Sequence, residues 1–144
     1  MADSYHRTFI GIDYGTRRIG LARSDPTGLI ASALETIEVR SITDAVQQVS
    51  EVIGRHQPDG LVIGYPLHMS GDKSAKCLEI DSFIRKLSAQ YAGPIHREDE
   101  RFSSSEAADI IHAHGKKVGQ DKKRVDRLAA VIILQRFLDE HPNG

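Results

Sequence analysis

The sequence predicts an α/β domain with a five-stranded mixed sheet, an antiparallel meander plus two parallel strands, and helices on both faces. Three observations carry that prediction. Strand-type runs at residues 9–14, 19–24 and 29–39 are joined by stretches too short for anything but antiparallel pairing. Helix-period and strand-type segments then alternate, as crossover connections to parallel strands require. The chain has 144 residues, 40% of them apolar and 27% charged, with no internal repeat, which suits one folded domain. That domain is expected to span residues 1–144, with 1–7 and 141–144 as flexible tails.

Each element has a local reason. Residues 9–14, FIGIDY, form an apolar strand, and YGTRR is a tight turn. In the second strand Ile19 and Leu21 share one face while Gly20 and Ala22 share the other. DPTG is a turn signal before the third strand. A helix opens at Ser41 or Thr43, with Ile42, Ala45, Val46, Val49, Val52 and Ile53 at helical spacing and Gly54 and Pro58 closing it. GLVIGYP is a short run of the kind buried on both faces. The stripe Cys77, Ile80, Ile84, Leu87 and Tyr91 predicts a second helix, and GPIHRED a fifth strand. Helices are expected at residues 103–114 and 121–140, the second apolar almost all round and capped by Asp121.

Bulk properties exclude several classes. No apolar run approaches the roughly 20 residues that span a bilayer, and the first residues carry no apolar signal-peptide core. A single cysteine, Cys77, excludes an internal disulfide and a cysteine zinc cluster, and fits a reducing cytoplasm. Cys77 lies on an apolar stripe and reads as core. The net charge of -1 gives no global attraction to nucleic acid. The distribution is uneven, however: GKKVGQDKKRVDR holds Lys116, Lys117, Lys122, Lys123, Arg124 and Arg127 against Asp121 and Asp126. Such a run is either a solvated loop and helix start or a nucleic-acid contact. His112 and His114 lack a third ligand of their kind nearby and read as a surface helix end.

Three loci place carboxylates where a core has no use for them. Asp13 ends an apolar strand among glycines, as either a turn former or a ligand. Asp126 falls on the stripe of Ala130, Ile133 and Phe137, so it points inward from a buried helix. That is costly unless a cation meets it: an Arg or Lys, or a metal ion. Glu98, Asp99 and Glu100 end the fifth strand, where alternation sends Asp99 and Glu100 to opposite faces. In open α/β sheets ligands collect outside the carboxyl ends of strands, near a switch in strand order. Acids from all three loci can meet at one such end, where oxygen ligands suit Mg²⁺ or Mn²⁺.

Four blocks, GIDYGTRRIGLARSD, VIGYPLHMSG, DERFSS and VDRLAAVIILQRFLDE, resemble those of the YqgF family, also called RuvX, from residue 9 to about residue 140. The resemblance implies a ribonuclease H-like fold and a metal-dependent endonuclease. Its implied task is maturation of the 5′ end of precursor 16S rRNA, with Holliday junction resolution as the alternative; a catalytically inactive nucleic-acid-binding module, which would keep the basic patch and tolerate loss of the acids, is a rival reading. The implied metal-binding carboxylates are Asp13, Glu100 and Asp126, with Asp99 in reserve. The implied cofactor is Mg²⁺ or Mn²⁺. Arg17, Arg18, Arg101, Lys116, Lys117, Lys122, Lys123 and Arg124 are the candidate contacts to structured RNA or branched DNA. The implied setting is the cytoplasm, with a ribosome precursor as partner, no membrane, and a monomer or homodimer.

Two departures mark this chain. The second block has His68-Met69-Ser70-Gly71 where the family usually has Asn-Met-Asp-Gly. The last block has a single helix carboxylate, with Lys123 and Ala129 where similar resolvases place a second. GIDYGT also resembles the phosphate-binding hairpin of sugar and acetate kinases, but those close two lobes on ATP and this chain has room for one.

Overall fold

The structure is a computed structural model and describes residues 7–101 and 122–142. Five strands run as β1 (Phe9–Asp13), β2 (Arg18–Ser24), β3 (Ala31–Glu38), β4 (Gly60–Tyr65) and β5 (Ile95–Asp99). Three helices join them, α1 (Ile42–His56), α2 (Ala75–Leu87) and α3 (Lys122–Glu140). The sheet order is β3-β2-β1-β4-β5. β1, β2 and β3 form the antiparallel meander, and β4 pairs parallel with both β1 and β5. The expected mixed sheet is therefore present. β1 stands at its centre, where the hairpin leaves to one side and the crossovers to the other. The helix expected over residues 103–114, with His112 and His114, and the Asp121 cap lie outside the described residues.

Side-chain alternation divides the core into two layers. Ile10, Ile12, Ile19, Leu21, Leu61 and Ile63 face α1 and α2, which add Ala45, Val49, Val52, Cys77, Ile80, Phe83 and Leu87. Phe9, Ala22 and Val62 face α3, which adds Ala130, Ile133, Leu134 and Phe137. β4 is buried along its whole length, as a strand covered on both faces must be. Asp13 and Gly20 are directly opposed in the β1–β2 ladder and so share the α3 face. A β-carbon at Gly20 would collide with the Asp126 carbonyl oxygen. The lack of one lets the first turns of α3 lie on the hairpin backbone, and this brings Asp126 to the end of β1.

The boundaries differ from expectation at two places. α1 does not close at Gly54 but continues to His56, where Gln57 adopts the left-handed conformation (φ 47°) and its N–H donates to the Ile53 carbonyl. Gly54 lies on the exposed side with nothing near its missing β-carbon, so it interrupts no packing. α2 ends at Leu87, one turn before Tyr91, whose ring still packs on the first core layer. Of the two candidate caps of α1 it is Ser41 that accepts from Asp44 N–H, and α2, for which the sequence offered no cap, has Ser74 accepting from Cys77 N–H. Asp25 anchors the β2–β3 turn by accepting from the backbone of Thr27, Leu29 and Ile30 and from the Thr27 hydroxyl. No helix among the described residues is long and apolar enough to cross a membrane.

Candidate functional site

The carboxyl end of β1, the turn after it, the start of α2 and the second turn of α3 enclose one pocket. Its lining is Asp13, Tyr14, Gly15, Thr16, Arg17, Arg18, Lys76 and Asp126. Two acids from distant parts of the chain thus line it together with three cations. Thr16 Oγ1 donates to Glu79 Oε2 at 3.3 Å, tying the turn to α2. Tyr14 packs on Phe83 with ring centroids 4.9 Å apart, which fixes the same junction from below.

Burial dominates the electrostatics of Asp13 and pushes its carboxyl up to about 7. Lys76 opposes that shift, and the negative charges of Glu100 and Asp126 add to it. Glu100 is also raised, again by burial first, with Lys76 and Arg136 opposing and Asp99 adding. Lys76 is thus the largest favourable charge at both carboxyls. It is exposed, at the second position of α2, and nothing in its helical spacing marks it. Only the landing point of the β4–α2 connection puts it opposite the end of β1, so sequence reasoning missed it.

The acidic triplet at the end of β5 divides into three roles. Glu98 is buried on the α3 face and pairs with Arg136 Nε at 3.3 Å. Burial, followed by the neighbouring Glu140, raises its carboxyl to about 7. Asp99 turns the other way and holds Arg101 through Nε at 3.0 Å and Nη2 at 2.9 Å. Those bonds lower the Asp99 carboxyl and brace Arg101 against the 68–71 loop, where Nη1 reaches the Met69 carbonyl at 3.5 Å. Glu100 returns to the α3 face: a β-carbon at Gly64 would stand 3.0 Å from its Oε2 and 2.6 Å from Ile133 Cδ1. Strand alternation therefore separates Asp99 from Glu100 as the sequence implies, and it is Glu100 that lies toward Asp13.

Asp126 meets a cation of the chain itself. Arg18 Nε donates to its Oδ2 at 2.7 Å, with both side chains partly exposed. Among the described residues no group of three His, Cys, Asp or Glu side chains is close enough to hold a metal ion. Asp13 and Asp126 share the pocket, Glu100 acts on Asp13 through its charge, and Arg18 holds Asp126. The donor set still fits a hard divalent cation. It consists of carboxylate oxygens, and the Asp13 carboxyl, raised first by burial and then by the charges of Glu100 and Asp126, is one that such a cation would ionise. Of the candidate nucleic-acid contacts, Arg17 and Arg18 line the pocket and Arg101 is held by Asp99. Lys116 and Lys117, and the side chains of Lys122, Lys123 and Arg124, lie outside the described residues.

Comparison with known proteins bears on the family and the fold. The family model described as RuvX: Holliday junction resolvase matches residues 7–140. A protein of Crocosphaera subtropica named "Putative pre-16S rRNA nuclease" is 40% identical over 131 residues, covering 91% of this chain and 92% of its own. One of the same name from Koribacter versatilis is 37% identical over 134 residues, covering 93% and 88%. Among solved structures, Thermus thermophilus RuvC in complex with a Holliday junction substrate superposes with a TM-score of 0.61 at 15% identity, covering 96% of this chain and 99% of that one. The fowlpox virus resolvase with its junction DNA gives 0.59 at 14% identity. These likenesses establish the ribonuclease H-like fold.

Proposed function

The chain belongs to the RuvX family, and we propose that it is a metal-dependent endonuclease that hydrolyses phosphodiester bonds in precursor 16S rRNA in the cytoplasm. One observation carries the reading: Asp13 and Asp126, from opposite ends of the chain, line a single pocket ringed by Arg17, Arg18 and Lys76. Acids surrounded by cations suit a reaction in which a divalent ion and a phosphate must occupy the same place. A binding module would need the cations but not the buried acids.

Asp13, Glu100 and Asp126 would hold Mg²⁺ or Mn²⁺, with Asp99 engaged instead in orienting Arg101. Bound there, the ion would supply an activated water and stabilise the leaving oxygen. The remaining work falls to this chain's own side chains. Arg17, from the turn after β1, and Lys76, from the start of α2, neutralise the phosphates flanking the scissile bond and hold the backbone over the acids. Lys76 also keeps Asp13 and Glu100 closer to ionisation than burial alone would allow. Arg101, braced by two bonds to Asp99, presents a fixed guanidinium beside β5 for a more distant phosphate.

The names of the relatives favour RNA, and the description of the family favours a four-way DNA junction as the second reading. A cleavage assay with precursor 16S rRNA, unrelated single-stranded RNA and a four-way junction, each with Mg²⁺, Mn²⁺ or chelator, separates them. Metal-dependent cutting of the precursor, lost in Asp13→Asn and Asp126→Asn, is the expected result. Faster cutting of the junction would transfer the proposal to DNA. Full activity of both variants would remove these residues from the site.

A further inference from the structure

The Arg18–Asp126 pair is placed oddly for a stabilising contact. It lines the pocket, with side chains 31% and 19% exposed, and partly exposed pairs are weakly held. It is also end-on. Of the five N–H donors of a guanidinium, only Nε–H is engaged, and among the described residues neither Nη group has a hydrogen-bond partner. Asp126 Oδ1 likewise accepts no hydrogen bond among them. Arg18 opens β2 on the α3 face, so rotation of its side chain alone carries the guanidinium from Asp126 into the space shared with Arg17 and Lys76.

A carboxylate that holds a divalent ion must be released by any cation already on it. The two charges repel, and the carboxylate oxygens cannot fully satisfy both. We propose that Arg18 is an exchangeable counter-ion: it neutralises Asp126 until a divalent cation takes that carboxylate, and the released guanidinium then binds the substrate phosphate. This rests on the reading of Asp126 as a metal ligand. It makes Arg18 an opponent of metal binding and a helper of cleavage, two effects of opposite sign on one side chain. A merely structural arginine would not produce that split.

The experiment measures Mn²⁺ affinity by the electron paramagnetic resonance of free Mn²⁺, in the absence of nucleic acid, and cleavage at saturating Mn²⁺. Arg18→Gln removes one positive charge beside the ion and is expected to bind Mn²⁺ about tenfold more tightly. Its cleavage rate is expected to fall by at least about tenfold. Arg18→Lys keeps the charge, and its Mn²⁺ affinity should stay near that of the unchanged protein. Independently of any variant, the Arg18 Nε–H resonance should shift and lose protection from solvent exchange as Mg²⁺ is added. Unchanged or weaker Mn²⁺ binding in Arg18→Gln, with binding lost in Asp126→Asn, would overturn the counter-ion role and leave the metal site standing. Unchanged Mn²⁺ binding in Asp126→Asn would overturn the site reading itself, and the counter-ion role with it.

Discussion

Gly20→Ala tests how the active end of the molecule is assembled. The α3 backbone rests on β2 at this residue, and an added β-carbon would overlap the Asp126 carbonyl oxygen and stand 3.0 Å from Arg127 N. Both obstacles are backbone, so no rotamer change relieves them. Either α3 moves away from the sheet by about 1 Å or the hairpin bends, and each response opens the layer of Ala22, Val62, Ala130 and Leu134. Overpacking of this kind costs about 1–3 kcal/mol, and contact with rigid backbone puts Gly20→Ala at the upper end or beyond. For a domain of this length ~3 kcal/mol corresponds to a melting temperature lower by about 10 °C. Thermal and urea unfolding followed by circular dichroism read the change directly. Gly54→Ala is the control: it meets nothing within 4 Å at an exposed position of α1 and should stabilise by about 0.5–1 kcal/mol. A Gly20→Ala protein melting within about 2 °C of the parent would refute the close approach of α3 to the hairpin, and with it the placement of Asp126.

Two further outcomes follow from the charges around the pocket. Burial holds the folded Asp13 carboxyl near 7 against an unfolded value near 3.8, so the metal-free fold is favoured fully below about pH 4 and loses that contribution as pH rises to 7. Asp13→Asn should therefore gain on the parent between pH 4 and 7 by a few kcal/mol at most and then level off, and parallel pH profiles of urea stability would contradict this. Arg17→Ala with Lys76→Ala should weaken nucleic-acid binding on every sequence and reduce the steepness of its salt dependence by about two phosphate contacts, measured by fluorescence anisotropy from 50 to 200 mM salt. An unchanged slope would place the phosphate-binding face elsewhere on the molecule.

The sheet could be read from the sequence because each strand carries its own signal. Ile10 and Ile12 alternate with Phe9, Gly11 and Asp13, and the structure assigns those two sets to opposite layers. The β4 run is apolar at every position because helices cover both of its faces. Helix ends were less legible where a residue type has two uses. Gly54 reads as a stop signal, yet it lies inside α1 and the left-handed stop falls on Gln57. Alternation predicted that Asp99 and Glu100 would part, but not that Glu98 would be consumed by Arg136 or Asp99 by Arg101. The features of the pocket that the sequence left unspecified, Lys76 and the choice of Arg18 as partner of Asp126, join residues from elements far apart in the chain. No periodicity within one element records such a meeting. The pairing of Asp126 with an arginine was nevertheless one of two answers that its inward position demanded.

A crystal structure of the Mn²⁺-loaded protein, with the ion located by its anomalous scattering, tests the central claim most directly. The account predicts Mn²⁺ bonded to the carboxylates of Asp13 and Asp126 beside Glu100, with the Arg18 guanidinium turned away from Asp126. Mn²⁺ bound only at other residues, with Arg18 still on Asp126, would contradict it.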